Sequence, residues 1–339
     1  MLGGERGAFA EAGMRAGGLG LALLAAAGLA AAAQAGAYRP PRTAWGAPDL
    51  GGTWTSASYT KLQRPDGFAG LAATPEEARA YAAKLQAHQG VAEPPPGADE
   101  VGQVGSEYFE AGEAMTRIGG QLRTSWIVDP ANGRLPYRPD ARQRLGLRRA
   151  DAPETLDGPE ARPGFERCVT ATGSAPPLLA GNDANLYQIV ETPDHVAILA
   201  EKNHEMRIAP LNVARDPHAP PSWSGNSIGR WEGDTLVVET EGFRDAVIDR
   251  GPFLYQSGAA RIVERFTRIS AGELLYRFEV SDPAVFTQTW RGETIFKAAK
   301  GPVYEYACHE GNRSIVNILQ AARLADRSAP QGPAGPGQP

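Results

Sequence analysis

Cysteine is scarce in this chain, with 2 among 339 residues, and so are histidine and methionine, with 5 and 4. No C-x-x-C, H-x-H or H-E-x-x-H occurs. A zinc site would need His204, His218, His309 and a carboxylate to converge from distant strands, so no metal is expected. Charge of one sign is lacking as well: 34 Lys and Arg stand against 39 Asp and Glu, a formal net charge of -5, with no long basic run. That removes the electrostatic footprint of a nucleic-acid binder. No Gly-rich phosphate loop follows an expected strand, which excludes a nucleotide cofactor, and no other cofactor is implied. There is no G-x-S-x-G nucleophile elbow either. Gly173-Ser174 and Gly225-Asn226-Ser227-Ile228-Gly229 carry serines in turns, without the strand-to-helix context that a hydrolase nucleophile needs. Long apolar runs are limited to Leu19–Ala33, which at 15 residues is shorter than the roughly 20 of a membrane-spanning helix.

That run has a different use. Arg15 precedes it and Ala33-Gln34-Ala35 follows it as a small-x-small cleavage site. We therefore expect a signal peptide over residues 1–35, no stable membrane span after processing, and a periplasmic or secreted protein beginning at Gly36. Met14 suits the start better than Met1, because Glu5 and Glu11 do not belong in a secretory n-region. A retained N-terminal anchor is the alternative. In an oxidising compartment Cys168 and Cys308 permit a single pairing. Its loop of 140 residues is valued by the chain-entropy model at about 4–5 kcal/mol. Two separate buried thiols are the alternative, since a sequence does not measure Cα separation.

What is abundant is turn chemistry and β pattern. With 40 Gly, 28 Pro and 42% hydrophobic residues, the chain reads as folded and loop-rich. Residues 36–50 form a Pro-rich lead-in. A single β-rich domain spans 51–326, with helical and loop excursions at 74–170, and 327–339 is a disordered tail. Thr74 to Gly90 is the clearest helix, with Thr74 as N-cap, Pro75 at N1 and Glu77 completing a capping box. A short helix is expected from Asp140 to Arg149. Strands are expected at Gly51–Thr55, Arg123–Asp129, Tyr187–Glu191, His195–Leu211, Ile228–Trp231, Asp234–Glu241, Arg261–Ile269, Leu274–Val280, Thr287–Phe296 and Val303–Cys308. Hairpin turns fall at Trp231–Asp234 and Ser270–Glu273. Strands so closely spaced, without intervening helices, argue for a mainly β fold: an antiparallel curled sheet or barrel of lipocalin/calycin type with a few peripheral helices. The last of these is Arg313–Ala325, with Ile315, Ile318, Leu319 and Ala322 on one stripe.

Several stretches carry a resemblance. They are Pro48-Asp49-Leu50-Gly51-Gly52-Thr53-Trp54, Glu166-Arg167-Cys168, Gly229-Arg230-Trp231-Glu232-Gly233-Asp234-Thr235-Leu236-Val237-Val238, and Tyr304-Glu305-Tyr306-Ala307-Cys308-His309-Glu310-Gly311-Asn312. In that order they resemble a large family of exported bacterial proteins with no established activity. The chain departs from that pattern at Asn226, where Asp is usual, and at Asn212-Val213, where Asp-Gly is usual. Gly52-Thr53-Trp54 also faintly resembles the opening strand of lipocalin-type barrels.

Chemistry is expected where histidine meets carboxylate on a strand. If Lys202-Asn203 form a hairpin loop, Glu201 and His204 become cross-strand partners, an acid–base pair. If the strand runs straight through, Glu201, Glu205 and Arg207 share one face and His204 takes the other. A solvated hairpin tip is the bland alternative. In the last expected strand Tyr304, Tyr306 and Cys308 alternate with Glu305 and His309, although His309-Glu310 also fits a helix cap. His204, His309, Glu201, Arg207 and Glu305 are therefore the candidate catalytic residues, with Tyr304, Tyr306, Trp231 and His218 lining a substrate site. Two functions fit this pattern. One is a cofactor-independent enzyme of isomerase, lyase or hydratase type acting on a small apolar or aromatic molecule. The other is a lipocalin-like carrier of small hydrophobic ligands. An enzyme calls for these groups to meet in a closed pocket; a carrier calls for an open mouth with the histidines outside.

Overall fold

The structure is a computed structural model, and it describes residues 38–89, 110, 112–144, 156, 158–248 and 254–328. The chain divides into two compact units, Met1–Arg39 and Pro40–Pro339. Of the first, only Tyr38 and Arg39 are described, both exposed; the expected signal peptide lies outside the described residues, as does the tail from 329 onward.

The strands of the second unit are β1 (Gly52–Thr55), β2 (Ala72–Ala73), β3 (Arg117–Ile118), β4 (Gln121–Arg123), β5 (Ile127–Asp129), β6 (Leu186–Glu191), β7 (His195–Ala200), β8 (Met206–Pro210), β9 (Asn226–Glu232), β10 (Thr235–Glu241), β11 (Ala246–Val247), β12 (Tyr255–Gln256), β13 (Arg261–Ser270), β14 (Glu273–Ser281) and β15 (Trp290–Ala298). The main sheet has 10 strands in the order β8-β7-β6-β1-β15-β14-β13-β10-β9, with β5 on β15, and every pairing in it is antiparallel. Just past β8, a parallel bridge joins Leu211 to Gly229 of β9, and the Asn212 amide donates to the Gly229 carbonyl at 2.8 Å. This contact brings the two ends of the sheet together and almost closes a barrel. The expected fold class is thus the observed one; a lipocalin topology is not thereby established.

Local chemistry explains the joints. Glu232 pairs with Thr235 across a two-residue turn in which Gly233 takes φ +60°, a value that costs glycine nothing. Helix α1 (Pro75–Gln89) carries the expected capping box: the Glu77 amide donates to Thr74 Oγ1 at 3.1 Å and the Thr74 amide to Glu77 Oε2 at 2.8 Å. Helix α2 covers Ala141–Arg144, and the rest of that expected helix lies outside the described residues. Helix α3 spans Ser314–Ser328, so the expected tail begins later than 327.

The barrel interior is filled, not hollowed, along its central aromatic line. Tyr187 stacks on Phe296 (5.2 Å between centroids), Phe296 on Tyr276 (4.8 Å), and Tyr276 meets Phe266 (5.0 Å) and Phe278 (5.4 Å), which abuts Trp290 at 5.4 Å. The rings interlock closely: a Cβ on Gly292 would lie 2.2 Å from Phe278 Cζ, so the strand opposite Phe278 must carry glycine there.

Two expectations need correction. Val303–Cys308 is not a strand; the stretch crosses the barrel end and is fixed by side chains and a disulfide instead of a sheet ladder. His195–Leu211 is two strands, β7 and β8, because Asn203 and His204 take φ +57° and +51° and turn the chain. Neither geometry expected for Glu201 and His204 is found. The turn runs from Glu201 to Glu205, with the His204 amide donating to the Glu201 carbonyl at 3.0 Å, and Leu199 opposes Met206.

Candidate functional site

The turn between β7 and β8 positions one cleft of about 1130 Å³, lined by Glu110, Phe165, Glu166, Asp183, Ala184, Glu201, residues 305–308, Glu310, Gly311, Asn312, and Ser314 and Ile318 of α3. Six of the lining side chains are carboxylates, and none of the described lining residues is Lys, Arg or His. The cleft's wall is fastened by a disulfide between Cys168 and Cys308, with Cα atoms 5.8 Å apart; this bond suits a compartment outside the reducing cytosol. Lys202 stands beside the opening. Its Nζ donates to both Asp183 oxygens (2.9 and 3.0 Å) and to the Tyr306 hydroxyl (2.8 Å), and it lies 4.4 Å from the Tyr306 ring centroid. Burial would lower its pKa, but the Asp183 and Tyr306 contacts outweigh that and raise it. This part of the barrel end therefore holds an ammonium group by carboxylate, hydroxyl and ring face together.

Glu201 is buried, and its Oε2 accepts the Leu186 amide at 3.2 Å. Burial lifts its carboxyl above the ordinary range, and the charges of Glu110 and Asp183 add to the rise, against the Leu186 bond and Lys202. Glu110 is itself tied down by the Asn185 amide, 3.2 Å from its Oε2. Glu305 and Glu310 are exposed at the mouth.

The candidate residues from the sequence divide between separate places. Glu201, Glu305 and Tyr306 do meet at this cleft, whereas His204 and His309 are exposed and are not among its lining residues. Tyr304 is 67% exposed. His218 is exposed in the loop before β9, its amide on Asp216 Oδ1 at 2.8 Å, and Trp231 is packed against the core. Arg207 is elsewhere: it is buried in the barrel and paired through Nη1 and Nη2 with Glu264, the Nη2–Oε1 distance being 3.1 Å. Tyr276 donates to the same Oε1 at 2.7 Å, and its own oxygen accepts the Leu178 amide at 2.8 Å. Thr240 takes a 3.3 Å bond from Arg207 and shares a 2.8 Å contact with Ser227. Burial opposes the charge on Arg207, and Glu264 more than restores it. Burial followed by Glu264 keeps the Tyr276 phenol well above its usual pKa. This network fixes β8, β10, β13 and β14 to one another inside the barrel.

Sequence reading missed Glu264 and Tyr276. A signal existed: in Ile262-Val263-Glu264-Arg265-Phe266, alternation sets Glu264 on the apolar face, where a carboxylate needs a buried partner. A second opening, about 430 Å³, lies at the β8–β9 seam, with Glu205, Arg215, Ser224 and Asn226 among its lining residues. Ser224 donates to Glu205 there at 2.6 Å. Among the described residues, no group of three or more His, Cys, Asp or Glu is placed to hold a metal ion, and no helix is long and apolar enough to cross a membrane.

The fold and the cleft define a class: an almost closed antiparallel β barrel with an acidic opening at one end. No protein-family model, curated protein or solved structure matches the chain.

Proposed function

We propose that this is an exported binding protein, periplasmic or secreted, whose ligand is a small organic cation with an apolar part, taken up in the acidic cleft. The observation that carries the reading is the convergence of Asp183, Glu201, Glu305 and Glu310 with the Tyr306 ring on one cleft of about 1130 Å³ that no described basic residue lines. Its volume is at the upper end of small-molecule sites. Carboxylates attract and orient an ammonium; Phe165, Tyr306 and Ile318 provide the apolar surface that a bare metal or buffer cation does not use. Binding is favoured over turnover because His204 and His309 stand exposed outside the cleft lining, which leaves the cleft open and without an imidazole. Carriage inside the barrel is disfavoured by its stacked aromatic filling.

The acid–base enzyme keeps one observation in its favour, the raised pKa of the Glu201 carboxyl in the cleft. Thermal-shift screening of phenethylamine, spermidine and phenylacetate tests the preferred reading. Stabilisation by the amines alone, lost in Glu305→Gln/Glu310→Gln, supports it. Stabilisation by phenylacetate, or by none of the three at millimolar concentration, refutes it. Turnover that His204→Ala and His309→Ala abolish without loss of stability would favour the enzyme.

A further inference from the structure

The two halves of the barrel exterior have opposite chemistry. On β9, β10 and β13–β15 the outward positions form a lattice of ion pairs. Arg230 bridges Glu232 and Glu239, Arg261 bridges Glu239 and Glu241, and Arg291 bridges Glu279 and Asp129. On β1, β6, β7 and β8 no outward position is Asp, Glu, Lys or Arg. Register aligns Val190 with Ala197 and Ala197 with Ile208, and it sets Leu199 beside Met206, so these five side chains form one contiguous aliphatic patch. It is open to solvent: Val190 is 50% exposed, Met206 56% and Ile208 55%. Thr53, Thr55 and Gln188 extend it with uncharged groups across β1 and β6.

We propose that this uncharged face is the self-association surface of the protein, and that its occupant is the same face of a second copy, related by a two-fold axis. Charge complementarity selects that partner. A face without ions strips a charged partner of its hydration and returns no pairing. A second copy brings no charge and sets no like charges opposite one another, as an isologous contact requires. A lipid surface is disfavoured because no outward Lys or Arg on these four strands meets anionic headgroups, and no outward Trp or Tyr anchors the interface. Four strands about 4.8 Å apart and about six residues long give a footprint of about 400 Å². That is about half of what each partner contributes to a standard stable interface, so the dimer is weak, with dissociation in the tens of micromolar.

Sedimentation velocity of the full chain between 1 and 200 µM, in the wild type, Met206→Glu/Ile208→Glu and Arg265→Ala, tests this. The expected result is a concentration-dependent dimer in wild type and Arg265→Ala and a monomer throughout in Met206→Glu/Ile208→Glu, with circular dichroism confirming that all three are folded. A wild type that stays monomeric at 200 µM overturns the proposal. So does a dimer that the double substitution leaves intact. Co-sedimentation of the wild type, but not the double variant, with phosphatidylcholine vesicles, without dimerisation in solution, would assign the face to lipid and also overturn it.

Discussion

Glu191→Gln should stabilise the protein at alkaline pH and do little at acid pH. Glu191 ends β6. Its Oε2 accepts the Leu50 amide at 2.8 Å, while its Oε1 is buried with no hydrogen-bond partner. Burial, together with the nearby charge of Asp49, pushes its pKa from 4.5 to about 7, against the Leu50 and Gly51 amides and Arg268. The folded state therefore prefers the neutral carboxyl. Above pH 4.5 the unfolded chain ionises and the folded one resists, so stability falls as pH rises to about 7 and then levels off. A shift of about 2.5 units sets a ceiling of about 3.4 kcal/mol; partial solvent access reduces this to about 1–2 kcal/mol. Glutamine keeps the acceptor for Leu50 and removes the ionisation. Differential scanning calorimetry of wild type and variant at pH 5 and pH 8 should show a gain of about 2–5 °C at pH 8 and about a quarter of that at pH 5. An equal gain at both pH values, or no gain at pH 8, would refute the reasoning.

Four further outcomes rest on the same geometry. Glu264→Gln leaves Arg207 as an uncompensated buried charge and should cost about 3–5 kcal/mol by urea denaturation; a loss under 1 kcal/mol would show that the interior network is not what ties these strands together. Gly292→Ala forces a methyl into the Phe278 ring and should destabilise by about 1–3 kcal/mol or more, read from the same denaturation curves. Reducing Cys168–Cys308 should lower stability by about 2–5 kcal/mol and bring proteolysis to residues 299–312 first; unchanged cleavage there would count against the disulfide as the anchor of that segment. His204→Ala and His309→Ala, both at exposed positions, should leave the melting temperature within about 1 °C; a larger drop in either would reveal a structural role for the imidazole.

Much of the fold was legible because the strands carry their signal locally. Alternation in Arg261–Ser270 and Glu273–Ser281, the Gly233-Asp234 turn and the Thr74/Glu77 capping box all act within a few residues. Val303–Cys308 misled because alternation describes an extended chain and says nothing of a neighbour to pair with; Tyr306 faces Lys202 and Cys308 faces Cys168, and no strand lies beside them. The β7–β8 turn was blurred because Asn203 and His204 adopt left-handed backbone that their side chains do not announce. The site was legible only in part. Glu201, Glu305 and Tyr306 were singled out by residue type and do reach one cleft, but Arg207 was assigned to it when its partner, Glu264, lies 57 positions away and is brought close only by the sheet order. Asp183 and Glu110 were not found, because both reach the cleft from loops that have no periodic pattern.

The claim that the acidic cleft binds an organic cation is tested most directly by isothermal titration calorimetry of the exported form with phenethylamine, at low and high salt, in wild type and in Glu201→Gln/Glu305→Gln/Glu310→Gln. The account predicts one site per chain, affinity that falls as salt rises, and at least a tenfold loss in the triple variant while its fold persists. Binding that the triple variant retains in full, or no heat of binding in the wild type at millimolar ligand, would contradict it.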